Sequence, residues 1–428
     1  MPAPLIVVLG AGRSAGWLLS YLHERAAQGL YRLRIVDGQL APDRYPQAET
    51  VARALGGEAS AFMDVLAGAQ MVVSLLPPAM HLAVMEACLA VGAHFISASY
   101  ESAGAKALHK AAEEAGLLFL NECGLDPGLD HVTALAMLER VRTQGGEVLS
   151  FESDCGGLPS RADLNDWGYR FFWNPMNVVT AGQAGARYIE AGKQQMIAYP
   201  EVFKQTRRLI DEGERQLVAY ANRDSVPYIS TYGLQGVGTF VRGTIRYKDF
   251  CDRWAALAEA GVANTGLTLE AGMPFAEWAG LFAWHPQAYS LLTGLLDAGN
   301  LEEGALPEPM TSAQALLQVL THVWNGKGSY TDRVVMQHRI GYSHEGTLFA
   351  FSGTLDLEGT TRHSAMAFTV GLPIAIVVEN WATIKLKGVR TLADARLWPS
   401  IYYNLKEHGV ELSYQTLPLH NPLYLLKP

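Results

Sequence analysis

The chain has 428 residues, 49% hydrophobic and 18% charged, with a formal net charge of -9; that length implies two or three domains, and the apolar content excludes global disorder. The negative balance argues against a nucleic-acid groove or an anionic membrane surface, and no stretch is long and apolar enough to span a bilayer. Cys88, Cys123, Cys155 and Cys251 have no CxxC spacing, so neither a metal site nor a disulfide framework is expected and a cytoplasmic location fits.

Leu5–Leu9 is apolar with no basic segment before it, which reads as a strand and not a signal peptide. It runs into Gly10-Ala11-Gly12-Arg13-Ser14-Ala15-Gly16 and an apolar stretch from Trp17 to Leu22. Strand, tight glycine loop and helix in that order can cradle a pyrophosphate at a helix N-terminus. A second strand, Leu33–Val36, ends in Asp37, a carboxylate placed to hold the adenosine ribose hydroxyls. Asp37 would repel a 2′-phosphate and so favours NAD; Arg13 and Arg44 are near enough in sequence to keep NADP open. A helix is expected from Gln47 to Leu55, while Ala59–Met63 makes a poor strand.

Met71–Leu76 is a buried strand stopped by Pro77-Pro78, followed by a helix over His81–Val91 and a strand Phe95–Ser97 that ends in Ala98-Ser99-Tyr100. A helix over Ala103–Ala115 and a last strand, Gly116–Leu120, complete a doubly wound α/β pattern. The stretch Asn121-Glu122-Cys123-Gly124-Leu125-Asp126-Pro127-Gly128-Leu129-Asp130-His131 then lies at the carboxyl edge of that sheet, where the chain leaves the first domain. There Asp126 is the first candidate for proton transfer beside a nicotinamide. The plainer alternative is that Asp126 and Pro127 begin a turn and cap a helix from about Asp130. His131 is a second candidate base.

The helix should reach about Val141 and break at Gly145-Gly146, before a strand Val148–Asp154 and the run Cys155-Gly156-Gly157-Leu158-Pro159, whose glycines permit close approach to a ligand. Tyr169-Arg170-Phe171-Phe172-Trp173-Asn174-Pro175 is an aromatic and polar cluster that could equally be a hydrophobic plug. Asn222-Arg223-Asp224-Ser225 and Gly243-Thr244-Ile245-Arg246-Tyr247 place two arginines near loops or strand ends, where surface salt bridges are the ordinary explanation. From Phe250 to Asn325 the pattern is helical, with Thr311-Ser312-Ala313-Gln314 as a capping box. Strands return at Arg333–Arg339 and Thr347–Leu357, a helix runs from His363 to about Glu379, and the tail includes Leu412–Leu417.

Gly-Leu-Asp-Pro-Gly-Leu-Asp-His (124 to 131), Cys-Gly-Gly-Leu-Pro (155 to 159), Tyr-Arg-Phe-Phe-Trp-Asn-Pro (169 to 175), Asn-Arg-Asp-Ser (222 to 225), Gly-Thr-Ile-Arg-Tyr (243 to 247) and Thr-Val-Gly-Leu-Pro (369 to 373) together resemble the saccharopine dehydrogenase family, in its glutamate-forming reductase branch. The resemblance implies a Rossmann-type doubly wound sheet over 1–127, completed by about 380–428. It implies an α/β substrate domain over 128–250 and 330–380, and a small helical domain over 251–329. It further implies interconversion of saccharopine with glutamate and aminoadipate semialdehyde by hydride transfer, with NADP as cofactor, and a homodimer.

On the same ground the catalytic group is Asp126, Cys155 and Tyr100. Substrate contacts fall on Ser99, Tyr100, Asp126, Arg223, Thr244, Ile245 and Arg246. Cofactor contacts fall on Gly10, Ala11, Gly12, Arg13, Leu76, Ala98, Ser99, Leu125, Asp126, Pro127 and Asn174, beside Asp37. The reaction asks for these residue types: a substrate with several carboxylates needs planar guanidinium groups, and imine formation and hydrolysis need proton transfers. Two alternatives use the same dinucleotide domain: a lysine 6-dehydrogenase or carboxynorspermidine synthase type of enzyme, and a non-catalytic dinucleotide-binding protein.

Overall fold

The computed structural model describes residues 3–40, 43–212, 215–324 and 330–419. Asn325, the expected end of the helical run, and the tail from 420 lie outside the described residues. The chain divides into two compact units, one of Met1–Glu139 with Arg362–Glu411, the other of Arg140–Thr361 with the chain from Leu412.

The first unit is built on a seven-stranded sheet. Its strands are β1 (Leu5–Leu9), β2 (Arg32–Asp37), β3 (Glu49–Ala52), β4 (Met71–Ser74), β5 (His94–Ser97), β6 (Leu118–Asn121) and the late segment Gly388–Thr391. From one edge the order is Gly388–Thr391, β6, β5, β4, β1, β2, β3, all pairs parallel. Every residue of β1, β4 and β6 is buried, as expected of strands covered on both faces. The order reverses beside β1, which places a ligand crevice at the carboxyl ends of β1 and β4.

The edge departs from expectation. Glu49–Ala52 is a strand and not part of a helix, pairing Asp37 with Ala52, and Ala59–Phe62 is a 3-10 turn. Thr50 and Val51 are β-branched, and an edge strand tolerates the exposed Glu49 and Ala52. The helix His81–Val91 forms with the expected bounds and ends at Gly92 in the left-handed region, φ 76°. The helix expected over Ala103–Ala115 is two pieces, Ala103–Ala107 and His109–Glu114. Ala365–Glu379 is apolar on all sides and almost wholly buried, and it packs on the helix Gly16–Ala27, where a Cβ at Gly371 would lie 3.0 Å from Leu18.

The second unit is a mixed sheet centred on a thirteen-residue strand, β7 (Glu147–Pro159). One neighbour, Thr239–Tyr247, is parallel to it; the other, Asp332–His344, is antiparallel. Thr206–Glu212 and Arg215–Ala221 extend one side, Thr347–Glu358 and Ser413–Leu419 the other. The helices Lys248–Ala260, Phe275–Gly280, Pro286–Gly299 and Ser312–Trp324 share one apolar core with a face of this sheet, through Trp254, Phe250, Trp324, Tyr169 and Phe171. Truncating a buried aromatic of this kind costs about 3–5 kcal/mol. The capping box is present: Thr311 Oγ1 accepts the Gln314 amide at 3.2 Å, and Gln314 Oε1 accepts the Thr311 amide at 2.7 Å.

The division into units differs from the expected bounds in three places, each for a packing reason. The first unit keeps the chain to Glu139 and takes the helix Ala365–Glu379, which covers its own first helix. The helical segment shares the substrate-domain core and is no separate body. Ser413–Leu419 pairs with Thr347–Glu358 in the second unit and so does not complete the dinucleotide domain.

Two first-unit histidines bear on acid stability. His81 Nε2 lies 3.0 Å from the Leu76 carbonyl, His94 Nδ1 accepts the Leu118 amide at 3.0 Å, and burial pushes both imidazoles down to about 4. The unfolded chain takes up protons on these groups from about pH 6.5, while the folded chain keeps them neutral. Their contribution is therefore present above that value and lost as the pH falls toward 4. His94→Asn, which retains an acceptor for the Leu118 amide and does not titrate, should give a shallower fall of thermal midpoint between pH 6.5 and 4 than the parent; an identical slope would remove His94 from the acid response.

Candidate functional site

In the first unit the expected cofactor residues gather at the carboxyl ends of the parallel strands. Gly10 follows β1 with φ 97°, and its amide donates to the Val36 carbonyl at 2.9 Å. A Cβ there would sit 3.1 Å from the Leu75 carbonyl carbon and oxygen, so the close turn requires glycine. Gly12 and Arg13 are exposed beyond it, and the helix Gly16–Ala27 begins with no side chain capping it. The 3-10 turn Arg13–Ala15 leads directly into it, also without a side-chain cap, so the exposed start of that turn can offer amides to an anion. Asp37, at the end of β2, accepts the Ala11 amide on Oδ2 and the Gln39 amide on Oδ1, both at 2.8 Å. The carboxylate is fixed against the glycine loop. A dinucleotide pyrophosphate and ribose fit this arrangement; a 2′-phosphate would meet a carboxylate.

Leu76, Ala98 and Ser99 follow β4 and β5, and Leu125 to Pro127 follow β6. Asn174 belongs to the second unit, where its Oδ1 accepts the Met176 amide and caps the short helix Pro175–Val179.

The β6 loop carries Asp126, the expected candidate for proton transfer. Tyr100 Oη donates to Asp126 Oδ1 at 3.1 Å, so two of the three expected catalytic residues are in direct contact. Both are partly buried, and a phenol bonded to a carboxylate can pass a proton in either direction. The loop that holds Asp126 is tight: Gly124 and Leu129 are tied by amide bonds to Pro127 and Gly124 carbonyls at 3.0 and 2.7 Å. Gly128 has φ 145°, and a Cβ on it would fall 2.3 Å from the Gly124 carbonyl oxygen, so no side chain fits there. His131 is wholly buried with its Nε2 3.0 Å from Glu122 Oε2, so the histidine is held inside the fold. Glu122 was not legible as a site residue, since a glutamate after a strand carries no signal of its own.

In the second unit Cys155, Thr244, Ile245 and Arg246 lie on adjacent strands, with Cys155 opposite Thr244 in the register. Cys155 is buried and is not in a disulfide. Arg246 is only 4% exposed, so the surface salt bridge expected of it is not what the fold builds. Its Nη1 donates to the Ile245 carbonyl at 2.7 Å, its Nη2 lies 3.5 Å from Tyr169 Oη, and the guanidinium stacks 4.7 Å from the Tyr169 ring centroid. Nε has no hydrogen-bond partner, and among the described residues no carboxylate pairs with the group.

Two other arginines of the sheet are paired with carboxylates. Arg207 pairs with Glu152 and Asp154, and Arg333 grips Asp356 through two bonds of 2.6 Å. Burial pushes the Asp154 carboxyl up to about 6, against the pull of Arg207. A buried cation lacking a counter-charge is costly, and an anionic group beside Arg246 would relieve that cost. Tyr169, which walls it, belonged to the aromatic cluster that could be read as a plug; no sequence spacing connects it to Arg246. Arg223 is exposed, with φ 56° at the start of a two-residue strand. A non-glycine residue in that region marks a constrained position.

Residues 6–120 match the saccharopine dehydrogenase NADP binding domain, and residues 124–410 match the saccharopine dehydrogenase C-terminal domain. The chain is 28% identical over 388 residues to saccharopine dehydrogenase (NADP(+), L-glutamate-forming) of Saccharomyces cerevisiae, covering 84% of this chain and 87% of that protein. It is also 28% identical over 452 residues to mitochondrial alpha-aminoadipic semialdehyde synthase of Bos taurus, covering 96% of this chain and 48% of that protein. The apo crystal structure of saccharopine dehydrogenase (L-Glu forming) from Saccharomyces cerevisiae superposes with a TM-score of 0.82 at 25% identity, over 97% of this chain and 100% of that one.

Because the Arg246 charge is desolvated without a partner, Arg246→Met should hold or raise the thermal midpoint of the ligand-free protein, since an apolar side chain of similar length keeps the packing and removes the charge. A fall of several degrees in a melting curve would show that the guanidinium stabilises the fold.

Proposed function

Because the chain belongs to the saccharopine dehydrogenase family, we propose that it interconverts saccharopine with glutamate and aminoadipate semialdehyde by hydride transfer to or from a nicotinamide dinucleotide. The observation that carries this is the Tyr100–Asp126 hydrogen bond, set at the carboxyl edge of a sheet whose glycine loop fits a dinucleotide. Buried Arg246 supports a carboxylated substrate. When bound, the dinucleotide supplies the hydride acceptor or donor.

The chain's own residues supply the rest. Saccharopine carries several carboxylates on either side of a secondary amine, and Arg246, with Arg223, takes carboxylates through paired donors. Asp126 receives the proton that the amine must lose before hydride leaves the adjacent carbon, with Tyr100 as relay. The same pair returns protons as water adds to the imine and the carbon–nitrogen bond breaks, releasing glutamate nitrogen as amine and the other carbon as aldehyde. Thr244 shares Arg246's strand and orients the carboxylated end, while Cys155, opposite Thr244 on β7, is a neighbour or relay for the proton transfers.

Reduction of the dinucleotide, followed by its near-ultraviolet absorbance, tests this with saccharopine, lysine and carboxynorspermidine in parallel. Turnover is expected with saccharopine; preference for either of the others would move the chain to a related amine dehydrogenase, and dinucleotide binding without turnover of any would indicate a sensor. Asp126→Asn should keep dinucleotide affinity while slowing saccharopine turnover by about a hundredfold to ten-thousandfold; an unchanged rate would remove Asp126 from the chemistry.

The choice of dinucleotide has two supported answers. The family domain and the yeast relative are named for NADP, whereas the fixed Asp37 carboxylate supports NAD. Asp37→Ser removes the charge facing a 2′-phosphate and should shift the NADP to NAD ratio of kcat/KM toward NADP by about tenfold or more. No shift would place the adenosine ribose away from Asp37.

A further inference from the structure

The buried acid and histidine flanking the Tyr100–Asp126 pair are not used by the chemistry above. Glu122 and His131 are 5% and 0% exposed, and neither faces solvent. Glu122 follows β6 with φ 56°, a left-handed conformation that a glutamate rarely adopts. Contacts to both chain neighbours of Tyr100 and to His131 hold it there. Its amide donates to the Ser99 carbonyl at 2.9 Å, its Oε1 accepts the Glu101 amide at 3.1 Å, and its Oε2 lies 3.0 Å from His131 Nε2.

Ser99 and Glu101 are the two chain neighbours of Tyr100. Glu122 therefore grips the backbone on both sides of the phenol's residue. Its other oxygen reaches the first turn of the helix Leu129–Thr143, the helix that follows Asp126. That turn is itself tied back to the loop: Asp130 Oδ1 accepts the Gly128 amide at 2.6 Å, and the Asp130 amide donates to the Leu125 carbonyl at 3.0 Å. One carboxylate thus spans the segment that carries Tyr100 and the segment that carries Asp126.

We propose that Glu122, bridging the Glu101 amide and His131, is a positioning residue that sets the Tyr100–Asp126 hydrogen bond for proton transfer. In this role it acts through the other two side chains, not on the dinucleotide or the substrate. A packing role alone would not call for a charged side chain in a left-handed conformation with both of its oxygens on different segments. The proposal rests on Tyr100 and Asp126 being the reacting pair.

The test is a double-mutant cycle on the full chain, with steady-state saccharopine turnover as the readout and dinucleotide affinity and thermal midpoint as controls. Glu122→Gln keeps an acceptor for the Glu101 amide and loses the charge toward His131. It should lower kcat by about tenfold to a hundredfold with little change in saccharopine KM or dinucleotide affinity. It should also shift the pH limb that Asp126→Asn abolishes. In the Tyr100→Phe background Glu122→Gln should cost almost nothing further, because its effect runs through the phenol. Should Glu122→Gln not fold, His131→Gln releases the second anchor alone and should show the same non-additivity.

Additive losses in the double variant, or a pH profile and kcat equal to the parent's, would overturn the role of Glu122 while leaving the reacting pair intact. An equal fall of turnover, dinucleotide affinity and thermal midpoint would show structural support only. A Tyr100→Phe protein with parental turnover would overturn the reacting pair, and the positioning role with it.

Discussion

The second unit is organised by an unbalanced charge. Arg246 sits in the interior of a sheet strand, faced by the rings of Tyr169 and Phe250 and by no carboxylate among the described residues. Stability alone would favour an apolar side chain at that position. The rest of the sheet shows that the fold can pair buried cations, as it does for Arg207 and Arg333. Arg246 is left without a carboxylate and its Nε without an acceptor, and on the function proposed above a substrate carboxylate completes the charge, with the aromatic wall keeping out the water that would otherwise screen it.

The first unit works by a different constraint, the placement of loops at the carboxyl ends of parallel strands. The residues in it to which the proposed function gives a part in dinucleotide binding or proton transfer follow strands: Gly10 after β1, Asp37 at the end of β2, Tyr100 after β5 and Asp126 after β6. Strand pairing fixes those ends relative to one another to within the stiffness of the sheet. The two proton-handling side chains then need only short loops to meet, and the loop after β6 is held by its own amides with Gly128 at its tightest point.

Much of the first unit could be read in advance. Long buried runs such as Leu5–Leu9, the glycine loop, the terminal Asp37 and the helix His81–Val91 are local signals, and tertiary packing reinforces each of them. Glu49–Ala52 was misjudged because an edge strand is half-exposed and has little apolar pattern. The same physics hid Lys193–Ile197 and Thr206–Glu212, which are polar strands on the outer part of the second sheet. Among the candidate residues, Asp126 and Tyr100 in the first unit and Arg246 in the second stood out as residue types suited to the chemistry. Glu122 and Tyr169 did not, because their importance lies in contacts with residues 9 and 77 positions away, which no local spacing encodes.

The account stands or falls on the ligand completing the charge at Arg246. Its most direct test is the rise in thermal midpoint on adding saccharopine to the parent protein and to Arg246→Met, both saturated with dinucleotide. A clear rise in the parent that is absent in Arg246→Met is the predicted result. An equal rise in both proteins would mean that the substrate's carboxylates are held elsewhere and that the buried guanidinium serves another purpose.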